Sequence, residues 1–129
     1  MAESSEQKPD EPLIDITRLC AEQDKFARER DWEQFHSPKN LVMALTGEVG
    51  ELSEIFQWMT EADSKNAGSD PATSQAVKDE LADVLLYLVR LSSTLGVDLN
   101  EAVAQKLLKN ARKYPAEKVK GKSKKYSDY

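Results

Sequence analysis

Apolar residues recur at intervals of three and four along most of the chain, which is the spacing of one face of an α-helix. This pattern predicts a first helix from Leu13 to about Arg30. A second helix should begin at Ser37-Pro38, because serine is a good N-cap and proline is well tolerated in the first helical turn. The predicted buried stripe of the second helix consists of Leu41, Leu45, Val49, Leu52, Phe56 and Met59.

Two further helices follow a polar segment, residues 60 to 74, whose composition predicts a loop. The third helix is expected from about Gln75 to Leu95, where Gly96 stops it. Its predicted inner face consists of Val77, Leu81, Val84, Leu85, Leu88, Leu91 and Leu95. Asp98 and Glu101 form a capping-box signal for a fourth helix that starts at Leu99, buries Val103, Leu107 and Ala111, and ends before Pro115. No segment alternates as a strand does, so the sequence predicts an all-α, four-helix bundle-like fold.

The length and composition predict one folded domain with polar ends. We expect residues 1–12 to be a disordered leader, residues 13–115 to form the all-α domain, and residues 116–129 to be a lysine-rich tail. Charged residues make up 32% and aromatic residues 7% of the chain, which favours helices with large polar surfaces. A small bundle of this kind often completes its core by association, so we expect a homo-oligomer.

Charge and cysteine content exclude several classes of protein. The net charge of −5 argues against binding of duplex nucleic acid, which requires a basic face. A single cysteine excludes an internal disulfide and a thiolate metal cluster. No apolar run is long enough to span a membrane, and the acidic N-terminus does not resemble a secretory signal. We therefore expect a cytoplasmic protein, and the lysine-rich tail leaves nuclear entry open.

Acidic residues stand three apart on two of the predicted helices. Glu48, Glu51 and Glu54 lie on the second helix, and Glu80 and Asp83 on the third. One such motif alone is usually a solvated helix face. Two motifs beside core residues are different, because an unpaired carboxylate near a core needs a partner. With one histidine and one cysteine in the chain, oxygen-only ligation indicates Mg²⁺, with Mn²⁺ as a second choice.

Other polar and aromatic residues share faces with these carboxylates or with one another. Trp58 follows Glu51 by seven residues and Tyr87 follows Asp83 by four. Such aromatics are usually core residues, but together with Trp32 and His36 they also suit a flat nucleotide base. Lys106, Asn110 and Lys113 share a face near the end of the fourth helix, followed by Tyr114. These residues either balance the helix dipole or bind phosphate.

The spacing Glu48-x-x-Glu51 followed by Glu80-x-x-Asp83 resembles the signature of the MazG-like all-α nucleoside triphosphate pyrophosphohydrolases. Within that family, the segment from Trp32 to His36, the Phe56-Gln57-Trp58 triplet and Lys113-Tyr114-Pro115 resemble the dCTP pyrophosphatase branch. The resemblance implies the MazG fold and Mg²⁺-dependent hydrolysis of dCTP, or of a modified dCTP, to the monophosphate and pyrophosphate. It also implies a tetramer whose active sites use more than one chain.

The same resemblance assigns roles by position. It implies that Glu48, Glu51, Glu80 and Asp83 bind the metal. The attacking water also needs a carboxylate that orients it, and the sequence offers both Glu51 and Glu54 for this role. The implied substrate-binding residues are Gln23, Trp32, Glu33, Gln34, Phe35, His36, Trp58, Tyr87, Lys106, Asn110, Lys113 and Tyr114. Gln23 stands where animal members carry a histidine, which weakens an expectation of strict cytosine selectivity. The alternatives are a pyrophosphatase for another nucleoside triphosphate, a nucleotide-binding bundle without turnover, and a purely structural helical protein.

Overall fold

The computed structural model describes residues 14–123, and every regular element among them is a helix. The elements are α1 (Ile16–Glu29), a short 3-10 turn (Glu33–Phe35), α2 (Pro38–Phe56), α3 (Glu61–Ser64), α4 (Ser74–Leu95), α5 (Leu99–Lys113) and α6 (Ala116–Val119). The all-α prediction is confirmed. The leader predicted at residues 1–12 lies outside the described residues. None of the helices within residues 14–123 combines the length and hydropathy that a bilayer crossing requires.

Caps place the starts of α2 and α5 and the end of α4 where the sequence predicted them, whereas α1 begins at Ile16 and not at the predicted Leu13. The Ser37 side chain accepts a hydrogen bond from the backbone N–H of Asn40 at 3.2 Å, and Pro38 opens α2. Asp98 caps α5 in the same way through the N–H of Glu101, also at 3.2 Å. Gly96 ends α4 with a φ of +66°, a left-handed conformation in which glycine avoids the steric cost of a Cβ atom.

The described residues fall into two compact units, the first ending at Gly96 and the second beginning at Val97. In the first unit, α4 packs against both α1 and α2. This packing places the acidic segment of α2 beside that of α4. The second unit contains α5 and α6. The prediction of a single domain over residues 13–115 stays a prediction.

The apolar core is smaller than the helical stripes predicted. The buried apolar residues of the described chain are Ala27, Leu41, Ala67, Val77 and Val89. Several residues assigned to the stripes are exposed instead, among them Val49, Leu81, Leu95, Val103 and Leu107. Helical periodicity identifies residues that share a face, but a neighbouring element must cover that face before it is buried. In the single chain, parts of these faces contact solvent.

The polar segment that follows α2 is more ordered than a composition-based loop prediction allowed. It contains the one-turn helix α3, which begins where the Thr60 side chain accepts a hydrogen bond from the N–H of Asp63 at 3.1 Å. Ala67 is buried at 2% exposure within the same segment. The loop prediction was therefore wrong for residues 61–64, because a threonine cap followed by acidic residues starts a helical turn even in polar sequence.

Replacement of Ser37 by alanine should lower the free energy of unfolding by about 1 kcal/mol, because the first turn of α2 loses its cap. Chemical denaturation followed by circular dichroism measures this change. Ser53→Ala, at an exposed position inside the same helix, is the matched control and should be neutral or slightly stabilising. Equal destabilisation by the two variants would contradict the assigned role of the cap.

Candidate active site

Three carboxylates meet where α2 packs against α4. One oxygen from each of Glu48, Glu80 and Asp83 lies within 4.8 Å of the others. Glu80 and Asp83 stand three apart on α4, so they project from neighbouring turns of one helix face. All three residues are partly buried. The structure thus brings together three of the four predicted metal ligands, and these residues are called the acidic cluster below.

The acidic cluster contains buried oxygens without a partner. Oε2 of Glu48 and Oε2 of Glu80 are shielded from solvent and accept no hydrogen bond within the described part of the chain. A buried carboxylate oxygen in this state is costly unless a cation or a proton compensates it. A proton on Glu48 relieves this state, because the protonated carboxyl can share a hydrogen bond with Glu80. That hydrogen bond, followed by burial, by a hydrogen bond and the charge from Glu51 and by the charge of Asp83, raises the pKa of Glu48 to about 7.

The chemistry of the acidic cluster fits a hard divalent cation. The donors are all oxygens, they converge from two helices, and two of them lack partners. Mg²⁺ and Mn²⁺ prefer such ligands, whereas zinc sites usually include histidine or cysteine. Glu51 is close enough to Glu48 to raise its pKa, although its side chain is exposed. Glu54, one turn further along α2, is also exposed.

An open pocket of about 180 Å³ adjoins the acidic cluster, and Asp83 belongs to both. The pocket lies within the first unit, between α1, α4 and the segment that leads into α2. Its lining residues are Gln23, Phe26, Ala27, Trp32, His36, Leu41, Asp83, Leu86, Tyr87 and Arg90. Gln23, Trp32, His36 and Tyr87 were predicted from the sequence as substrate-binding residues.

Aromatic rings form much of the pocket wall. The rings of Phe26 and Trp32 meet edge to face with their centroids 5.7 Å apart, and those of Trp32 and His36 do so at 6.3 Å. Nε2 of Gln23 is buried without a hydrogen-bond partner in the described residues. A wall of this kind combines apolar surface with an unused polar group, which is typical of a site for a flat heterocycle.

Arg90 adds a buried cation to this pocket, and the sequence analysis missed it. The arginine Nε–H donates a hydrogen bond to Nδ1 of His36 at 3.0 Å, and Nη1 donates to Asp24 on α1. Burial, followed by the charge of Arg90, lowers the pKa of His36. One signal was available, because Arg90 is the only charged residue between Val84 and Leu95 and lies seven residues after Asp83.

Other predicted substrate-binding residues of the first unit do not line the pocket in the single chain. Glu33, Gln34 and Phe35 form the exposed 3-10 turn, where Gln34 donates hydrogen bonds to Asp31 at 3.0 and 3.1 Å. Trp58 follows the end of α2 and is 89% exposed. None of these residues is among those that line the pocket, and their roles stay predictions.

The predicted phosphate-binding residues belong to the second unit. Lys106, Asn110 and Lys113 lie on α5, where their spacing places them along one side of the helix. Tyr114 is the C-cap, and its backbone N–H donates to the carbonyl of Asn110 at 2.9 Å. Their role toward phosphate also stays a prediction.

Comparisons with known proteins identify relatives of this chain. The model of the MazG-like family matches residues 44–129, a range that includes the whole acidic cluster. The chain is 50% identical to dCTP pyrophosphatase 1 of Homo sapiens over 120 residues, which cover 93% of this chain and 69% of the human protein. The rat protein of the same name is 48% identical, and the match again covers 93% of this chain and 69% of the relative.

A solved structure gives the same result at the level of the fold. A pyrophosphatase from Archaeoglobus fulgidus is 36% identical and superposes with a TM-score of 0.71, covering 84% of this chain and 99% of the archaeal one. Both the sequence and the helical architecture therefore agree with a single family. This chain belongs to the MazG-like family.

Proposed function

We propose that this protein is a Mg²⁺-dependent nucleoside triphosphate pyrophosphatase that hydrolyses dCTP to dCMP and pyrophosphate. The observation that carries the proposal is the shared position of Asp83, which belongs both to the acidic cluster and to the aromatic pocket. A nucleotide needs these two environments side by side, one for its triphosphate and one for its base. Identity of 48–50% to proteins named dCTP pyrophosphatase 1 supports dCTP as the substrate.

The acidic cluster is the proposed metal site. Glu48, Glu80 and Asp83 would hold Mg²⁺, with Mn²⁺ as an alternative, and the neighbouring Glu51 would be the fourth ligand. When bound, the divalent cation supplies positive charge that offsets the negative charge of the triphosphate. The cation also compensates the carboxylate oxygens that the described chain leaves without partners.

Hydrolysis requires a carboxylate that orients a water molecule and accepts its proton. We assign this role to Glu51 or Glu54. Glu51 can orient the water and still bind the metal, because a carboxylate has two oxygens. The water oxygen attacks the α phosphorus in line with the bridging oxygen toward the β phosphorus. The bond between the α phosphorus and that bridging oxygen breaks, so the products are dCMP and pyrophosphate.

The base is proposed to occupy the aromatic pocket, where Trp32 and Tyr87 supply apolar surface and Gln23 and His36 supply polar contacts. We also propose a homo-oligomer, with a tetramer favoured. Trp58 is 89% exposed in the single chain, and in the oligomer it would contact the base site of a neighbouring subunit. Exposed apolar residues on α2 and α4, such as Met43 and Leu81, are consistent with such an interface.

Further parts of the proposal concern phosphate binding, the 3-10 turn and cellular location. Lys106, Asn110, Lys113 and Tyr114 would contribute to phosphate binding, and Glu33, Gln34 and Phe35 to nucleotide binding. A nucleotide-pool enzyme of this kind is expected in the cytoplasm, with the lysine-rich tail leaving nuclear entry open. Modified dCTP is a second candidate substrate, because Gln23 offers the pocket an amide rather than an imidazole.

A panel of canonical and modified nucleoside triphosphates tests the proposed activity. With Mg²⁺ present, pyrophosphate release from dCTP or a modified dCTP should exceed release from the other canonical triphosphates, and EDTA should abolish it. Analysis of the nucleotide product should show the monophosphate. Preference for another base would support the pyrophosphatase alternative, whereas binding without any release would support a non-catalytic nucleotide-binding bundle.

Replacement of Glu51 by glutamine should lower kcat for dCTP by about 100-fold or more, because loss of a positioned carboxylate removes general-base assistance. Glu54→Gln tests the alternative assignment, and Glu61→Gln, an exposed residue of α3, is the matched control. Circular dichroism should show unchanged helicity in all three. Near-normal turnover by Glu51→Gln, together with inactive Glu54→Gln, would transfer the role to Glu54.

The raised pKa of Glu48 predicts how the stability of the metal-free protein depends on pH. The ordinary value is 4.5 and the folded value is about 7, so between these values the folded protein retains a proton that the unfolded chain has released. This contribution therefore stabilises the fold at low pH and is lost as the pH rises toward and through about 7. Mg²⁺ should raise the melting temperature more at about pH 8 than at about pH 5, because protons compete with the metal.

Thermal unfolding at several pH values, with EDTA or Mg²⁺, measures both effects without reference to activity. Glu48→Gln should flatten the pH dependence and weaken stabilisation by Mg²⁺. The exposed Glu61→Gln serves again as the control. An unchanged pH dependence in Glu48→Gln would show that the titrating group lies elsewhere.

A further inference from the structure

Arg90 is a charged residue on the inside of the first unit. Only 8% of its surface is exposed, and its side chain reaches two different segments. One hydrogen bond goes to Asp24 on α1, and the other goes to His36, just before the cap of α2. A buried guanidinium with two dedicated partners is held in one orientation.

The chemistry of the guanidinium determines which nitrogen of His36 carries the proton. Arginine has only hydrogen-bond donors and stays charged at any pH at which the protein is folded. Its Nε lies 3.0 Å from Nδ1 of His36, so Nδ1 must offer its lone pair. In a neutral imidazole the single N–H proton is then on Nε2, and this N–H is the only hydrogen-bond donor of the ring.

We propose that Arg90 is a positioning residue that holds His36 as the Nε2–H tautomer, so that His36 presents a hydrogen-bond donor to the base of a bound nucleotide. The assignment of the base to this pocket rests on the proposed function, whereas the assignment of the tautomer does not. The lowered pKa of His36 is consistent with a neutral ring, because both burial and the positive charge of Arg90 disfavour the imidazolium.

Asp24 holds Arg90 in place. Its carboxylate accepts hydrogen bonds from Arg90 and from the Ser93 hydroxyl, the latter at 2.9 Å. The negative charge of Asp24 compensates the buried guanidinium, so Arg90 can face His36 without an uncompensated charge in the pocket wall. The three residues Asp24, Arg90 and His36 thus form a connected chain from α1 through α4 to the pocket.

A fixed donor restricts the ligand to one that offers an acceptor. Gln23 also lines this pocket, and its Nε2 is buried without a partner among the described residues, so we assign it as a second donor. A pyrimidine with a 2-carbonyl group and an unprotonated N3 presents two adjacent acceptors, whereas one that is protonated at N3 presents a donor beside the carbonyl. The chemistry of the pocket therefore favours the first type of base over the second.

Nitrogen NMR tests the tautomer directly, because His36 is the only histidine in the chain. A long-range proton–nitrogen correlation spectrum of uniformly labelled wild-type protein at about pH 8, where the imidazole is neutral, should show unprotonated Nδ1 and protonated Nε2. Protonated Nδ1, or shifts averaged between the two tautomers, would overturn the proposal. This measurement uses the native protein and does not depend on whether any variant folds.

Two substitutions of Arg90 separate its donor function from simple packing. Arg90→Lys retains a charged group that can only donate, so the Nε2–H tautomer should persist. Arg90→Gln introduces an amide that can donate or accept, so the nitrogen shifts should move toward an averaged mixture. Arg28→Gln, at an exposed position on α1, is the matched control and should leave the spectrum unchanged. Identical spectra for wild type and a folded Arg90→Gln would contradict the role of Arg90.

Substitutions of His36 test the donor in binding. Glutamine reaches about as far as Nε2 and retains a donor there, whereas asparagine reaches only the position of Nδ1. KM for dCTP should therefore be about tenfold higher in His36→Asn than in His36→Gln, the effect of about one hydrogen bond, with similar kcat. Equal KM values would contradict the donor role. Failure of every triphosphate to react would instead overturn the proposed function, while the NMR result would still decide the tautomer.

Discussion

Repulsion among carboxylates is the constraint around which the first unit is built. Glu48 on α2 faces Glu80 and Asp83 on α4, with buried oxygens that no donor in the described residues satisfies. The packing of α2 against α4 brings these groups together, and each helix contributes a buried apolar residue to the first unit, Leu41 from α2 and Val89 from α4. Repulsion between the carboxylates therefore destabilises the metal-free fold, and a divalent cation would remove this repulsion. The raised pKa of Glu48 reflects the same crowding, because a proton there can be shared with Glu80 and repulsion disfavours the ionised carboxylate.

The pocket beside the acidic cluster handles charge in the opposite way. Its one buried cation, among the residues that line it, is Arg90, and Asp24 compensates that charge from α1. The pocket wall is then free to present apolar rings and neutral polar groups. The acidic cluster therefore carries uncompensated negative charge, whereas the positive charge in the adjoining pocket is compensated. This contrast suits a ligand that is highly charged at one end and flat and nearly neutral at the other.

Much of this arrangement could be predicted from the sequence, because the relevant signals were local. Helix caps such as Ser37 and Asp98, and the three-residue spacing of the acidic residues, depend only on neighbours within a few positions. Burial could not be predicted as well. Val49 and Leu81 lie on apolar helical stripes but are exposed, because burial depends on which element lies opposite. The pairing of Asp24 with Arg90 was missed for the same reason, since the two residues are 66 positions apart and come into contact only when α1 packs against α4.

The order of residues along α4 has a consequence for the size of the ligand. Glu80, Asp83, Tyr87 and Arg90 follow one another on a single uninterrupted helix, which extends from the acidic cluster along the pocket. At about 1.5 Å of rise per residue, these ten steps span about 15 Å. A rigid helix of this kind fixes the distance between the residues that contact the two ends of a bound ligand. A compound of the wrong length would lose one set of contacts whenever it made the other.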